Sequence, residues 1–280
     1  MPPPWMTANF LWIGPSLSPI ERLALASFVS FGWKVTIYVY QAVSGIPPGC
    51  EVRDGRDILS DSLIFVDPKL DAPGVSYANF SDLFRWALLS RYDGWWFDMD
   101  MVAITSPVRM PGHPDMRVAS AWEHADGSLA ITSALYSNGG SAFYAEAYRR
   151  ARHMVDLGGE RDWCDLGPIN LQRLIREHGL EIAVAPWWEF CPFPYRQIGA
   201  ACAPTLGRHI LYQLRAAKHG LGQVRGGSIR AASLRRGTRA VHLHNELWRR
   251  GGISKTGPFS RHSFVGQQLL KHGIDGATII

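Results

Sequence analysis

Trp95-Trp-Phe-Asp-Met-Asp100-Met-Val-Ala-Ile104 is an almost wholly apolar segment that is interrupted by two carboxylates. Its length and aromatic content predict one buried β-strand. Because residues i and i+2 of a strand point to the same face, we expect Asp98 and Asp100 to stand side by side, with Met99 on the opposite face. Two aspartates that share a face repel each other, so this pattern needs a neutralising partner.

The residues at the start of the chain predict the opening of a parallel sheet. Phe10–Gly14 is a short apolar run that predicts a strand, and Ser18-Pro-Ile-Glu21 is a capping box from which a helix should run toward Gly32. Lys34–Tyr40, rich in β-branched and aromatic residues, predicts a second strand. The order strand, helix, strand favours a mixed α/β fold with a mostly parallel central sheet flanked by helices.

Further elements follow from the same patterns. Ser81 is the expected N-cap of a helix that reaches Tyr92 and is closed by Asp93-Gly94, while residues 41–80 contain many turn formers around Leu63–Val66 and predict connecting structure. Later expectations are helices over about Ala142–Met154 and from Gly167-Pro168 to about His178, and strands near Leu180–Val184 and Arg239–His244.

The aspartate pair is the candidate metal site. Open α/β sheets bind ligands at the carboxyl ends of their strands, and a divalent cation is the simplest neutraliser of two such carboxylates. Mg²⁺ or Mn²⁺ suits them because these ions accept one or two carboxylates and complete their shells with water and phosphates. A D-x-D pattern is common, however, and the alternative is that both side chains lie at a solvated strand end or that one caps a turn.

Asp82 and Arg85 add context to the pair. They are three residues apart and therefore neighbours on one helical face. They either complement the helix dipole and pair with each other, or they lie at the same cleft as the aspartates, where they offer an acceptor and a donor to vicinal hydroxyls.

Phe80–Asp100 as a whole resembles the sugar-binding D-x-D region of family 32 glycosyltransferases, which includes α-1,4-galactosyltransferases and yeast initiating mannosyltransferases. The large clostridial glucosylating toxins share this region. The family pattern is roughly S-D-x-x-R, a helix, G-G, three apolar or aromatic residues and D-x-D; Asp93-Gly94 replaces the Gly-Gly here.

The resemblance extends over about residues 8–250. Leu11–Gly14 resembles the family's nucleotide-binding start, Ile131–Gly140 the segment beside the donor sugar, Gly167-Pro168 a helix start of the galactosyltransferases, and Ala240-Val-His242-Leu-His244-Asn245 their A-V-H-x-W-N. His244 stands where tryptophan is common, and Asn138-Gly139-Gly140 replaces a small-Pro-Gly stretch.

The resemblance implies catalytic roles for four residues of the central segment. Asp82 and Arg85 would bind the donor sugar. Asp98 would contact ribose or sugar and reach the metal through water, and Asp100 would ligate the metal directly.

Other roles are implied outside that segment. Trp12, with Ile13 and Gly14, would bind the nucleotide by stacking on uracil or guanine; the alternative for this tryptophan is core packing. His242 would complete the metal set with Asp98 and Asp100 or bind pyrophosphate, although a structural histidine is an equal alternative. Asn245 would donate to phosphate and Trp248 would lie in a closing loop.

The implied protein is a single GT-A-type domain over residues 1–280, with a nucleotide-sugar half at about 8–105 and an acceptor part at 106–280. Its implied activity is metal-dependent, retaining transfer of a sugar, galactose favoured, to a bacterial-type glycan or lipid-linked saccharide. Mn²⁺ or Mg²⁺ would be the cofactor and a UDP-sugar the donor, with GDP-mannose behind it. Front-face and double-displacement routes both remain open, and the alternatives are a non-catalytic nucleotide-sugar binder and a metal-dependent phosphoester hydrolase.

Charge and composition limit the remaining classes of function and partner. The net charge is +5, but twelve Lys/Arg and only Glu246 as acid lie between Arg208 and Arg261. These cations lack helical spacing and interleaved aromatics, so we expect no nucleic-acid partner. A solvated surface, an anionic nucleotide and an anionic membrane or polysaccharide remain open as their role. No secretory signal, no apolar run of membrane-spanning length and no C-x-x-C pair are found, which predicts a cytoplasmic protein with reduced thiols.

Overall fold

The computed structural model describes residues 3–66, 76–108, 115–121, 129–159, 162, 164–193, 198, 234–250 and 252–280. Its strands are β1 (Thr7–Trp12), β2 (Lys34–Val39), β3 (Cys50–Asp54), β4 (Asp93–Phe97), β5 (Met101–Ala103), β6 (Met116–Ala121), β7 (Leu129–Asn138) and β8 (Ala240–His242). Its α-helices are α1 (Pro19–Ser30), α2 (Ala78–Arg91), α3 (Ala142–Leu157), α4 (Asn170–His178), α5 (Asn245–Arg250) and α6 (Phe264–Lys271).

In the described part of the chain, six strands form the central sheet in the order β3-β2-β1-β4-β7-β6. The pairings from β3 to β4 are parallel, and β7 runs antiparallel to both of its neighbours. β5 and β8 pair antiparallel in a separate two-stranded sheet. The mixed α/β fold with a mostly parallel sheet flanked by helices is therefore confirmed.

The two faces of β4 bury different cores. Trp96 packs in the cluster that holds α2, α3 and α4, whereas Trp95 and Phe97 pack on the opposite face against Phe28 of α1. This alternation is the period of two expected for a strand that is buried on both faces. At the N-terminus of α1, Ser18 and Glu21 form the predicted capping box.

The prediction of one strand over Trp95–Ile104 is wrong. β4 ends at Phe97, and the chain turns at Asp98 to Asp100 before β5 begins. The turn is closed by the amide of Met101, which donates to the carbonyl of Asp98 (3.0 Å). The two aspartates therefore lie in a turn rather than on one strand face, although they still follow the carboxyl end of β4.

Three smaller expectations also need correction. Ser81 is not an N-cap, because α2 begins at Ala78 and Ser81 lies within its first turn. The segment near Leu180–Val184 forms a 3₁₀ turn and a single bridge to β6 instead of a strand. Conversely, β3 lies in the region that was expected to be connecting structure. It is an edge strand whose residues are largely exposed, so its sequence lacks a clear hydrophobic pattern.

No helix in the described part of the chain is long and apolar enough to span a bilayer. Cys50 and Cys191 are free thiols. Cys202 and residues 208–233 of the basic segment lie outside the described residues.

Candidate functional site

A cleft of about 750 Å³ opens where β1 and β4 end. This is the edge of a parallel sheet at which α/β folds bind ligands. Eight of the ten residues that the sequence singled out line it: Trp12, Ile13, Gly14, Arg85, Asp98, Asp100, Asn245 and Trp248. The other two, Asp82 and His242, lie directly behind lining residues, as their contacts with Arg85 and Asp100 show.

One side of the cleft is formed by Ser81, Arg85, Trp96 and Asp98, which we call the sheet wall. Arg85 lies within 3.2 Å of a carboxylate oxygen of Asp82 and 3.1 Å of one of Asp98. Its guanidinium also donates to the carbonyl of Thr132 (2.6 Å) and lies 4.8 Å from the centre of the Trp96 ring. Arg85 is thus held on several sides, and it compensates one buried and one partly exposed carboxylate at once.

Asp82 lies behind Arg85 and against Gly167. A Cβ at Gly167 would come within 2.3 Å of the Asp82 carboxylate, so the absence of a side chain there makes room for this aspartate. Burial, with a smaller contribution from the negative charge of Asp98, raises the pKa of Asp82 to about 7 against the opposing effect of Arg85. The Gly-Pro dipeptide noticed in the sequence therefore serves the packing of Asp82.

The aspartate pair and His242 form a group whose potential ligand atoms all lie within 4.8 Å of one another. Asp98 accepts a hydrogen bond from the indole N–H of Trp96 (2.9 Å), and Asp100 accepts one from the backbone N–H of Asn245 (2.7 Å). Burial raises the pKa of Asp98, and the charge of Asp100 adds to that rise. Burial also penalises the Asp100 carboxylate, but the charge of His242 and hydrogen bonds from His242 and Asn245 hold its pKa well below the usual range.

His242 is the cationic partner of this pair. Its Nε2 lies 3.4 Å from Asp100, and although burial opposes a positive charge, this carboxylate raises the pKa of His242 well above its ordinary value. The centre of the His244 ring lies 4.0 Å from the centre of the His242 ring. Burial, and next the charge of His242, hold the pKa of His244 well below its ordinary value, so this second ring is neutral.

These donors fit a hard divalent cation. Two carboxylates and one imidazole are ligands that Mn²⁺ and Mg²⁺ accept, and they lie at a cleft where water or phosphate can complete the shell. The Asp100 carboxylate favours the protonated form of His242, so metal ligation by this ring requires the loss of that proton.

Another part of the cleft lining is formed by Asn245, Trp248 and Lys255, which we call the C-terminal wall. It is anchored by Glu21 of α1, which is 1% exposed, forms an ion pair with Lys255 and accepts a hydrogen bond from the Asn245 side chain (3.4 Å). Trp248 lies in α5 and packs against Phe259. The expectation that Trp248 lies in a loop is therefore wrong, because the residue belongs to a helix and its indole is fully buried.

Trp12 is the last residue of β1, and its position combines core packing with access to the cleft. Its ring packs against the core on the α1 side of the sheet and also lines the cleft. A Cβ at Gly14 would lie 3.2 Å from the indole nitrogen, so Gly14 leaves room for the ring. A flat aromatic surface is therefore available at the end of the cleft that β1 forms.

No pattern in the sequence indicated that Glu21 and Lys255 belong to the cleft. Glu21 was recognised only as a member of a capping box, which it is, since one oxygen accepts from the Ser18 amide (2.9 Å) while the other faces Lys255. Lys255 was one cation among twelve in the basic segment, and nothing in its local sequence distinguishes it. Both are brought to the cleft by contacts between distant parts of the chain.

No protein-family model and no curated protein matches the chain. Among solved structures, the chain is similar to the PaToxG glycosyltransferase, with 15% identity and a TM-score of 0.44 over 94% of this chain and 87% of that one. It is also similar to the apo form of the glycosyltransferase GlyE from Streptococcus pneumoniae, with 11% identity and a TM-score of 0.46 over 96% of this chain. The chain spans 60% of the length of GlyE. The functional assignment rests on the residues of the cleft.

Proposed function

We propose that the chain is a metal-dependent glycosyltransferase of the GT-A type that uses a nucleoside diphosphate sugar as donor. The observation that carries the proposal is the group of Asp98, Asp100 and His242 at a cleft that also presents the ring of Trp12 and the ammonium of Lys255. The aromatic ring matches the base of such a donor. The divalent cation site and the ammonium match its negatively charged diphosphate.

The metal would be Mn²⁺ or Mg²⁺, held by Asp98, Asp100 and His242. When bound, such an ion supplies electrostatic stabilisation to a leaving diphosphate, an effect of several kcal/mol in typical sites. Lys255 adds a positive charge from the C-terminal wall, and the side chain of Asn245 offers a donor for phosphate. Glu21 holds both of these groups in place through its ion pair and hydrogen bond.

The sugar would lie against the sheet wall. Arg85 reaches the cleft surface, while Asp82 is buried behind it and acts on the sugar through the position of Arg85. Trp12 stacks on the base, with Ile13 and Gly14 as its neighbours along the cleft. UDP-galactose as the donor, retention at the anomeric carbon and family 32 membership rest on the sequence resemblance alone.

The acceptor is proposed to be a surface glycan or a lipid-linked saccharide of a bacterial type, met by residues 106–280 of a single domain. Peripheral contact of the basic segment with an anionic membrane is part of this proposal. Flotation with anionic and neutral liposomes tests it: enrichment with anionic vesicles supports the contact, and equal behaviour with both contradicts it.

Product analysis separates transfer from the two alternatives. The protein is incubated with UDP-galactose, UDP-glucose, UDP-N-acetylglucosamine or GDP-mannose, Mn²⁺ and a panel of saccharide acceptors. A glycosylated acceptor that disappears in Asp100→Asn and persists in Asp93→Asn, an exposed aspartate at the start of β4, supports the transferase. Release of a nucleoside monophosphate and a sugar 1-phosphate would indicate the phosphoester hydrolase, and binding without turnover a non-catalytic binder.

A further inference from the structure

A second cluster of metal-ligating side chains lies behind the aspartate pair. Cys191, His242 and His244 place one potential ligand atom each within 4.8 Å of the others. Cys191 follows the 3₁₀ turn at Trp187–Glu189, and the backbone there is tied to β8 by the His242 amide, which donates to the carbonyl of Phe190 (2.9 Å). The three side chains are thus brought together by the pairing of two segments that lie far apart in sequence.

The distances are close to those of a tetrahedral site. The Sγ of Cys191 lies 3.9 Å from the Nδ1 of His242, and the potential ligand atoms of all three residues lie within 4.8 Å of one another. Zinc bonds of about 2.3 Å to sulfur and about 2.0 Å to nitrogen place tetrahedral ligand atoms roughly 3.4 to 3.6 Å from one another. The pair of Cys191 and His242 therefore needs a contraction of a few tenths of an ångström, and the pairs that include His244 need one of at most about 1.4 Å.

His244 carries two signs of a buried ligand. Its Nε2 is buried without a hydrogen-bond partner among the described residues, which is costly for a polar atom. Its backbone has φ = 52°, a conformation that non-glycine residues rarely adopt and that persists where the surroundings enforce it. A metal ion would give this nitrogen its missing partner.

We propose that Cys191, His242 and His244 form a second metal site, selective for a thiolate-preferring divalent ion of the zinc class. A thiolate with two imidazoles is a softer donor set than two carboxylates with one imidazole, so the two sites would prefer different metals. Three protein ligands leave one tetrahedral position for water or another ligand, and binding releases the thiol proton of Cys191 and the Nδ1 proton of a protonated His242.

His242 is common to both sites through different ring atoms. Its Nε2 lies 3.4 Å from Asp100 and its Nδ1 lies 3.9 Å from Cys191, so a metal at Nδ1 leaves Nε2 facing the aspartate pair. The second site would thereby fix the orientation of this ring at the cleft. The proposal does not depend on sugar transfer, because the ligand set stands on its own.

Cobalt titration of the metal-free full chain tests the site without an activity assay. Co²⁺ bound to a thiolate gives charge-transfer absorption in the near ultraviolet, and Zn²⁺ should abolish it by displacement. We expect one such Co²⁺ per chain, with affinity lowered about 100-fold or more in Cys191→Ser. Cys50→Ser, which changes a half-buried thiol in β3, and Asp100→Asn should keep the absorption.

His244→Gln is the second variant, since it retains every thiol. It should weaken Co²⁺ binding at least about 10-fold while the melting temperature in EDTA stays near that of the parent. Mn²⁺ binding, followed by electron paramagnetic resonance, should be lost in Asp100→Asn and kept in Cys191→Ser, which separates this site from the proposed function. Absence of thiolate absorption in the parent protein, or its persistence in Cys191→Ser, would overturn the proposal.

Discussion

The two walls of the cleft are held together in different ways. In the sheet wall, Arg85 binds carboxylates that lie 3 and 13 positions away in the sequence. In the C-terminal wall, Glu21 of α1 binds Asn245 and Lys255, which lie 224 and 234 positions away. The first wall belongs to the helix and strand of one continuous segment, whereas the second is assembled by tertiary contacts across nearly the whole chain.

This difference separates stability from ligand binding. The sheet wall neutralises buried charge inside the main core, so a change there should cost folding free energy first. The C-terminal wall faces the cleft with a cation whose carboxylate partner is anchored in α1, so a change there should cost ligand affinity more than stability. Four substitutions test this contrast, beginning with the largest expected effect.

Arg85→Ala should lower the free energy of unfolding by about 3 to 5 kcal/mol, because it removes the buried cation that faces Asp82 and the partly exposed Asp98. Urea denaturation at pH 7 measures the change. The control is Arg91→Ala, an exposed residue at the end of α2, with an expected effect within about 0.5 kcal/mol. Equal effects of the two substitutions would contradict the role given to the sheet wall.

Asp82→Asn should change how stability depends on pH. Burial raises the pKa of Asp82 to about 7 in the folded chain, so the folded state holds a proton that the unfolded state releases. The stability contributed by this protonation is present below about pH 4 and is lost as the pH rises toward 7. Urea denaturation at several pH values measures this dependence. The free energy of unfolding should fall less with rising pH in Asp82→Asn than in the parent, and the difference should be a few kcal/mol at most. An unchanged fall would refute the buried, protonated state of Asp82.

Gly167→Ala should lower stability by about 1 to 3 kcal/mol, because its Cβ would overlap the Asp82 carboxylate. The same substitution in an Asp82→Ala background should cost less, since the space is then free. The double-mutant cycle measures this coupling, and additive effects would show that Gly167 serves another purpose.

Lys255→Ala should weaken binding of a nucleoside diphosphate sugar about 10-fold, or about 1.4 kcal/mol, through loss of a cation at the cleft. Some stability is lost as well because Glu21 remains buried. Adding Glu21→Gln should restore stability without restoring affinity, as measured by denaturation and calorimetry. Lys34→Ala, at an exposed position of β2, is the control. If the double variant regains affinity, Lys255 acts only through Glu21.

The sequence predicted the sheet wall better than the C-terminal wall. Asp82, Arg85, Asp98 and Asp100 lie in a segment of about 20 residues, where helix spacing and strand periodicity bring neighbours together. Even there the prediction erred locally, since the aspartates lie in a turn that ends β4. Hydrophobicity continues through Met101 to Ile104, so the apolar pattern contained no sign of the change from one sheet to another.

Site residues that are far apart in the sequence were harder to predict, because no local sequence pattern marks their contacts. Nothing in the sequence around Cys191 indicates that it lies 3.9 Å from His242, because the pairing depends on how residues 187–193 lie along β8. His242 and Asn245 were found only through the family resemblance. Lys255 belongs to no recognisable motif. It is held at the cleft by its ion pair with the buried Glu21.

Calorimetric titration of a UDP- and GDP-sugar panel, with and without Mn²⁺, tests the central assignment most directly when run on the parent, Asp100→Asn and Asp93→Asn. The account predicts that one donor binds the parent and Asp93→Asn only with Mn²⁺ and does not bind Asp100→Asn. Absence of binding to every donor in the presence of Mn²⁺, or equal binding by Asp100→Asn, would contradict it.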